Sequence, residues 1–132
     1  MSWSLVTTPE LPFIEVVYSG NITPDELAAA LAATAKAAKD SARYLFLANC
    51  QQLARGHSVT DLYYTMMEMD RLIGAGVRFR EAVLLPAGKD SDDLVKFWET
   101  ICVNRGFSVQ LFHDRLQAVA WLTQLPPKTG AT

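Results

Sequence analysis

Four side chains of types that take part in nucleophilic catalysis lie within twelve positions of this chain. They are Cys50, His57, Ser58 and Asp61. A nucleophilic site needs a thiol or hydroxyl within hydrogen-bond reach of a base, and that base needs an orienting group. A predicted turn separates Cys50 from His57, and the glycine pattern of a nucleophile elbow does not surround Ser58. We therefore favour a structural role, in which Cys50 packs at a strand end and Ser58 caps a helix, over a thiol enzyme.

The sequence offers little for metal or phosphate chemistry. The two histidines and two cysteines show neither CxxC nor HxxxH spacing, so we expect no metal site. Gly88-Lys89 lies between a predicted strand and helix, as in a P-loop. However, Val83 stands where the first glycine of that loop is required, and Asp90 stands where Ser or Thr is required. We expect no nucleotide site and no cofactor.

Composition indicates a folded domain. The chain has 132 residues, of which 50% are hydrophobic and 20% charged, and its formal charge is −2. This length predicts a single domain over 1–132, with its core at about 4–125. The sequence lacks a clustered basic face for nucleic acid, an apolar run of the ~20 residues that span a membrane, and a signal-peptide pattern. We expect a cytoplasmic protein whose two cysteines form no disulfide framework.

Caps, glycines and prolines divide the chain into strands and helices in the order β-β-α-β-α-β-α-β-α. The predicted strands cover 4–8, 13–19, 44–49, 82–85 and 107–112. Each helix begins at a capping residue. The first is capped by Thr23 with Glu26, the second by Ser58, the third by Asp90 or Ser91, and the fourth by Asp114 with Gln117. Strands that alternate with helices form parallel neighbours, whereas the first two are close enough to pair antiparallel. The fold class is therefore α/β, with a mixed sheet of about five strands and four helices.

Polar groups should converge at one edge of this sheet. Ligands of open α/β sheets lie beyond the carboxyl ends of the parallel strands. The residues that we predict at this edge are Asn49, Cys50, His57, Ser58, Lys89 and His113. Helix N-termini at the same edge favour anions.

The sequence also resembles a known family in two places. Gly20-Asn21-Ile22-Thr23-Pro24-Asp25-Glu26 is similar to a strand-to-helix turn of the SpoIIAA-like family, which is related to STAS domains and CRAL-TRIO lipid carriers. Val109-Gln110-Leu111-Phe112-His113-Asp114, followed by Ala118 and Ala120-Trp121-Leu122, resembles its C-terminal signature. The resemblance covers 4–125. It implies a STAS-like fold and a non-enzymatic role, in binding a regulatory partner or holding an apolar ligand.

The sequence departs from this family in two places. At the end of the third strand, Ala48-Asn49-Cys50 stands where many relatives carry an aspartate. STAS regulators that a kinase switches carry Asp-Ser-Ser-Gly where the second helix begins. Here Gly56-His57-Ser58-Val59-Thr60-Asp61 offers one suitably placed serine, and no glycine follows it. The resemblance therefore implies the fold more strongly than it implies a phosphorylation switch at Ser58.

The second helix carries more large apolar residues than one face can bury. Leu62, Met66, Met69 and Ile73 form its inward stripe. Tyr63, Tyr64 and Met67 lie off that stripe, and methionine-rich surfaces suit adaptable partners or apolar ligands. We predict a non-enzymatic regulatory or protein-interaction module that binds another protein or a second copy of itself. The alternative is a carrier or sensor of an apolar, lipid-like small molecule.

Overall fold

A computed structural model of the chain describes residues 3–8, 10–55, 59–74, 77–85 and 92–124, without the side chains of 54–55, 59–63 and 92–95. The strands are β1 (Trp3–Thr7), β2 (Ile14–Asn21), β3 (Leu45–Arg55), β4 (Arg80–Leu84) and β5 (Ser108–Phe112). The helices are α1 (Pro24–Ser41), α2 (Val59–Ile73), α3 (Asp92–Asn104) and α4 (Arg115–Thr123). This order confirms the predicted one.

The five strands form one mixed sheet in the order β1-β2-β3-β4-β5. β1 pairs with β2 antiparallel, and the other three pairs are parallel. The sequence predicts parallel strands at 44–49 and 82–85, and the continuous apolar runs 45–47 and 83–85 within them indicate burial. Leu47 and Leu84 are both fully buried, which confirms that prediction.

Local sequence determines where the helices begin and end. Thr23 and Glu26 form the predicted capping box, in which each side chain accepts a hydrogen bond from the other residue's backbone N–H, at 3.1 and 2.9 Å. Asp114 caps α4 by accepting from the backbone of Gln117 at 3.3 Å. α2 is followed by Gly74, whose φ of +110° places it in a region that favours glycine.

The helices cover the two faces of the sheet unequally. α1, α2 and α3 pack on one face, where Leu31, Met66 and Cys102 are buried against strand residues such as Phe46 and Val83. α4 packs on the other face, and its Ala118 and Leu122 contact a smaller cluster of apolar side chains. Within the described ranges, no helix has both the length and the apolarity to cross a bilayer.

Candidate functional site

β3 extends further than predicted, which changes the position of two predicted edge residues. Cys50 was expected at the strand end, but β3 continues to Arg55 and pairs with β2 as far as Asn21. The pairing with β4 ends where Leu84 faces Asn49. Asn49 and Cys50 therefore lie level with the carboxyl end of β4, but within the longer β3.

Asn49 and Cys50 do not converge on one site. Adjacent residues of a strand point to opposite faces of the sheet. The Asn49 amide lies on the α4 face, where it donates to the Glu15 carboxylate at 3.1 Å. Cys50 is 8% exposed and belongs to the core beneath the other three helices.

The remaining predicted edge residues are distributed as follows. His113 is exposed and directly follows β5. His57, Ser58 and Lys89 lie outside the described residues, although α2 begins at Val59, directly after Ser58. Across the described ranges, no three His, Cys, Asp or Glu side chains are grouped closely enough to hold a metal ion.

Cys50 lies in surroundings that suppress thiol chemistry. Burial raises the pKa of the Cys50 thiol to about 12, and the nearby Glu81 carboxyl adds to this rise. Since the thiolate is the reactive form, a thiol with this pKa is almost entirely unreactive at neutral pH. Cys102 is fully buried, and burial raises its pKa as well. The geometry favours packing for both cysteines.

A polar cluster that the sequence analysis did not identify joins α4 to the sheet. Glu15 is 8% exposed on β2, and it accepts hydrogen bonds from Asn49 on β3 and from both terminal nitrogens of Arg115 on α4. These bonds outweigh the effect of burial, so Arg115 holds the pKa of Glu15 below its ordinary value. The available signal was a lone charge in the apolar run Phe13 to Val17.

A second buried carboxyl group was also missed. Glu81 on β4 is 8% exposed, and its Oε1 accepts a hydrogen bond of 2.6 Å from the Trp98 indole on α3. Burial raises the pKa of Glu81 to about 7, and the Trp98 hydrogen bond opposes that rise. Its sequence signal was an acidic residue directly before the apolar run Ala82 to Leu85.

The outer face of α2 carries exposed apolar side chains. Tyr64 is 68% exposed and Met67 is 38% exposed, whereas Met66, Met69 and Ile73 of the inward stripe are at most 5% exposed. The side chain of Tyr63 lies outside the described set. The inward stripe is thus confirmed for its described members, and both described off-stripe residues are on the surface.

A groove runs along this surface between α1 and α2, with a volume of about 760 Å³. Its apolar lining comes from both helices, as Pro24, Leu27, Ala28, Leu31, Tyr64 and Met67. Four charged side chains border the same groove. They form two ion pairs, between Glu68 and Arg71 and between Asp70 and Arg105. We call this region the α1–α2 groove.

Comparison with known proteins identifies the fold. No protein-family model matches the chain, and no curated protein matches it. An uncharacterised protein of the DUF3478 family from Shewanella loihica PV-4, described as having a SpoIIAA-like fold, matches with a TM-score of 0.57 and 13% identity over 91% of each chain. The anti-sigma factor antagonist SpoIIAA, in its unphosphorylated form, matches with a TM-score of 0.60 and 12% identity. That match covers 93% of this chain and 99% of SpoIIAA. The chain therefore has the SpoIIAA-like α/β fold that its sequence resembles.

Proposed function

We propose that the protein is a cytoplasmic, non-enzymatic regulatory module that binds a partner protein through the α1–α2 groove. The observation that carries this proposal is the exposure of Tyr64 and Met67 beside an apolar groove between two helices. Large aromatic and methionine side chains are enriched in protein interfaces. Exposed together at the edge of a groove, they favour a binding surface over an ordinary solvated face.

The spacing of the outward residues favours a helical partner. Tyr64, Met67, Glu68 and Arg71 follow the spacing i, i+3, i+4 and i+7, so they share one side of α2. An amphipathic helix binds a groove of this kind by inserting its own apolar residues at the same spacing. The groove border has charges of both signs. The partner helix should therefore present apolar residues flanked by both acidic and basic residues.

The fold is compatible with this role. SpoIIAA shares the fold and, by its name, antagonises an anti-sigma factor, which is itself a protein. That likeness is an analogy at the level of fold, because function depends on sites that differ between proteins of one fold. The α1–α2 groove supplies the observation that belongs to this chain.

An apolar-ligand carrier is the weaker candidate. A carrier encloses most of its ligand in a largely apolar cavity, commonly of about 300 Å³ or more. The α1–α2 groove is large enough, but it lies between two surface helices and four charged side chains border it. Charges at the border suit a peptide with charged side chains better than a lipid chain.

Site-specific photo-crosslinking tests the proposal. A photoreactive phenylalanine analogue replaces Tyr64 in one variant of the full chain. In a matched control it replaces Leu116, which is 79% exposed on α4 at the opposite face of the sheet. We expect the photoreactive residue at position 64 to crosslink to one peptide whose apolar residues have helical spacing. The photoreactive residue at position 116 should not crosslink to that peptide.

Binding of that peptide, once synthesised, completes the test. Its affinity for the wild-type chain should fall at least about tenfold with Met67→Glu, because the substitution places a charge against its apolar residues. The circular dichroism spectrum and melting temperature of the variant should remain close to the wild type. Crosslinks that join two copies of this chain would show that the groove binds a second copy of the chain instead of a different protein. Equal capture at positions 64 and 116 would refute the groove as the binding surface.

A further inference from the structure

A carboxyl group lies between the sheet and α3 with little contact to water. Glu81 is on β4, an inner strand, and only 8% of its surface is exposed. The indole Nε1–H of Trp98 donates to its Oε1 at 2.6 Å. Among the described residues, Trp98 is the one hydrogen-bond partner of the Glu81 side chain. A buried carboxylate ordinarily has several such bonds or a paired cation.

The groups around Glu81 cannot neutralise a negative charge. The titratable side chains that face it are Tyr18 from β2, Cys50 from β3 and Cys102 from α3. All three are neutral at pH 7, and burial raises the pKa of each. In the part of the chain that the structure describes, no Lys, Arg or His side chain contributes to the charge balance of Glu81.

The remaining elements on this face present apolar side chains to the same core. β5 contributes Val109, and α2 contributes Met66 and Met69. Ionised Glu81 would therefore leave a charge in an apolar core with one hydrogen bond. Burial accordingly raises its pKa to about 7, so the protonated form dominates in the folded chain below that pH.

We propose that Glu81 is a proton sensor that controls how firmly α3 is held on the sheet. When Glu81 is protonated, its neutral carboxyl group remains in the core and accepts the Trp98 hydrogen bond. When it loses its proton to solvent, the carboxylate gains solvation only if α3 separates from the sheet around Trp98. The local opening of α3 therefore increases as Glu81 ionises.

The other attachments of α3 make this a local opening. Near the end of α3, Arg105 binds Asp70 of α2 at 2.7 Å. Cys102 is fully buried in the same core. Trp98 lies one turn before Cys102, and its indole reaches Glu81 of β4. Separation around Trp98 would expose Glu81 while β1, β2 and α1 keep their own contacts.

The direction of the pH response follows from linkage. In the open state Glu81 regains an ordinary pKa of 4.5, whereas in the closed state its pKa is about 7. Between these values the open state binds fewer protons, so rising pH favours opening. The opening constant should rise by up to about tenfold per pH unit in this range and level off above about pH 7.

Hydrogen exchange of the intact chain at pH 5, 6, 7 and 8, corrected for intrinsic exchange rates, measures this opening. We expect protection of α3 amides around Trp98 to fall roughly tenfold or more between pH 5 and 7. Protection of α1 amides, which serve as the internal reference, should change much less. An α3 opening constant that does not vary with pH in the wild type would refute the proposal.

Two variants separate proton sensing from ordinary packing. Glu81→Gln keeps the shape and the acceptor oxygen but cannot ionise, so α3 protection should become independent of pH. Trp98→Phe keeps an aromatic ring but removes the hydrogen bond that favours the charged form, so the pH at which opening levels off should rise. If Glu81→Gln keeps the wild-type pH response, Glu81 is not the sensor. If Trp98→Phe leaves the levelling pH unchanged, Trp98 only packs against Glu81.

This inference is independent of the proposed partner. Its measurements need no ligand, and its variants alter no residue of the α1–α2 groove. If the photo-crosslinking experiment fails, the proposal for Glu81 is unaffected. If the hydrogen-exchange experiment fails, the proposal for the α1–α2 groove is unaffected.

Discussion

The guanidinium of Arg115 binds both carboxylate oxygens of Glu15, with N···O distances of 2.7 and 2.9 Å. The two residues are 100 positions apart in the chain. Glu15 lies on β2, and Asn49 of β3 donates a hydrogen bond to one of the same oxygens. One carboxylate thus connects two strands and the last helix.

Removing Arg115 should destabilise the fold. Arg115→Ala leaves a largely buried carboxylate with Asn49 as its remaining bonded partner. The Arg115 side chain is 47% exposed, so solvent screens part of the interaction. We expect the free energy of unfolding to fall by about 1–3 kcal/mol. Urea unfolding at pH 7 measures the change. Arg115→Lys retains the charge but not the bidentate geometry, so its loss should be smaller.

The same ion pair has a defined pH dependence. The pKa of Glu15 is lowered in the folded chain, so the pair contributes its full stability above the ordinary value of 4.5. This contribution is lost as pH falls and Glu15 becomes protonated. The stability difference between wild type and Arg115→Ala should therefore narrow between pH 5 and pH 2–3. A constant difference over this range would show that Arg115 acts through packing alone.

Shortening a buried leucine side chain on the central strand should lower the free energy of unfolding more than shortening an exposed leucine. Leu47 is fully buried on β3, and Leu47→Ala should cost about 2–5 kcal/mol because it leaves a cavity. Leu116→Ala is the matched control, since Leu116 is 79% exposed. Leu116→Ala should change the free energy of unfolding by no more than about 0.5 kcal/mol. A loss under about 1 kcal/mol for Leu47→Ala would contradict its central position.

The thiols should be protected in the native chain. Burial raises the pKa of Cys50 to about 12 and also that of Cys102. A mild alkylating reagent at pH 6–7 should therefore label neither cysteine within minutes, and should label both in denaturant. Intact-mass analysis counts the labels. Rapid native labelling of Cys50 would indicate a reactive thiol and restore the enzyme hypothesis.

Local signals allowed most elements of the fold to be predicted from the sequence. Thr23 and Asp114 cap helices through short-range hydrogen bonds, which depend only on neighbouring residues. The end of β3 was predicted too early for a physical reason. Residues Gln51 and Gln52 are exposed, and this part of the strand pairs with β2 beyond the end of its β4 pairing. The second half of β3 is open to solvent, so it does not need apolar residues.

The polar clusters depend on distant contacts, and sequence patterns specify those poorly. Glu15 and Arg115 meet only because the fold brings β2 within reach of the Arg115 side chain on α4. Glu81 and Trp98 meet because the long Trp98 side chain of α3 reaches β4. A lone acidic residue in an apolar strand indicates that a partner is required, but it does not say which residue supplies it. The convergence predicted for Asn49 and Cys50 overlooked the opposite orientation of neighbouring side chains.

The strand order β1-β2-β3-β4-β5 has one further consequence. Each parallel crossover moves to the next strand in the same direction, and right-handed crossovers then place α1, α2 and α3 on one side. Doubly wound sheets form their ligand crevice at a switch point, where successive crossovers reverse direction and adjacent helices diverge to opposite sides. Among the described strands there is no such reversal. The α1–α2 groove, which lies between two helices of that single layer, is compatible with this arrangement.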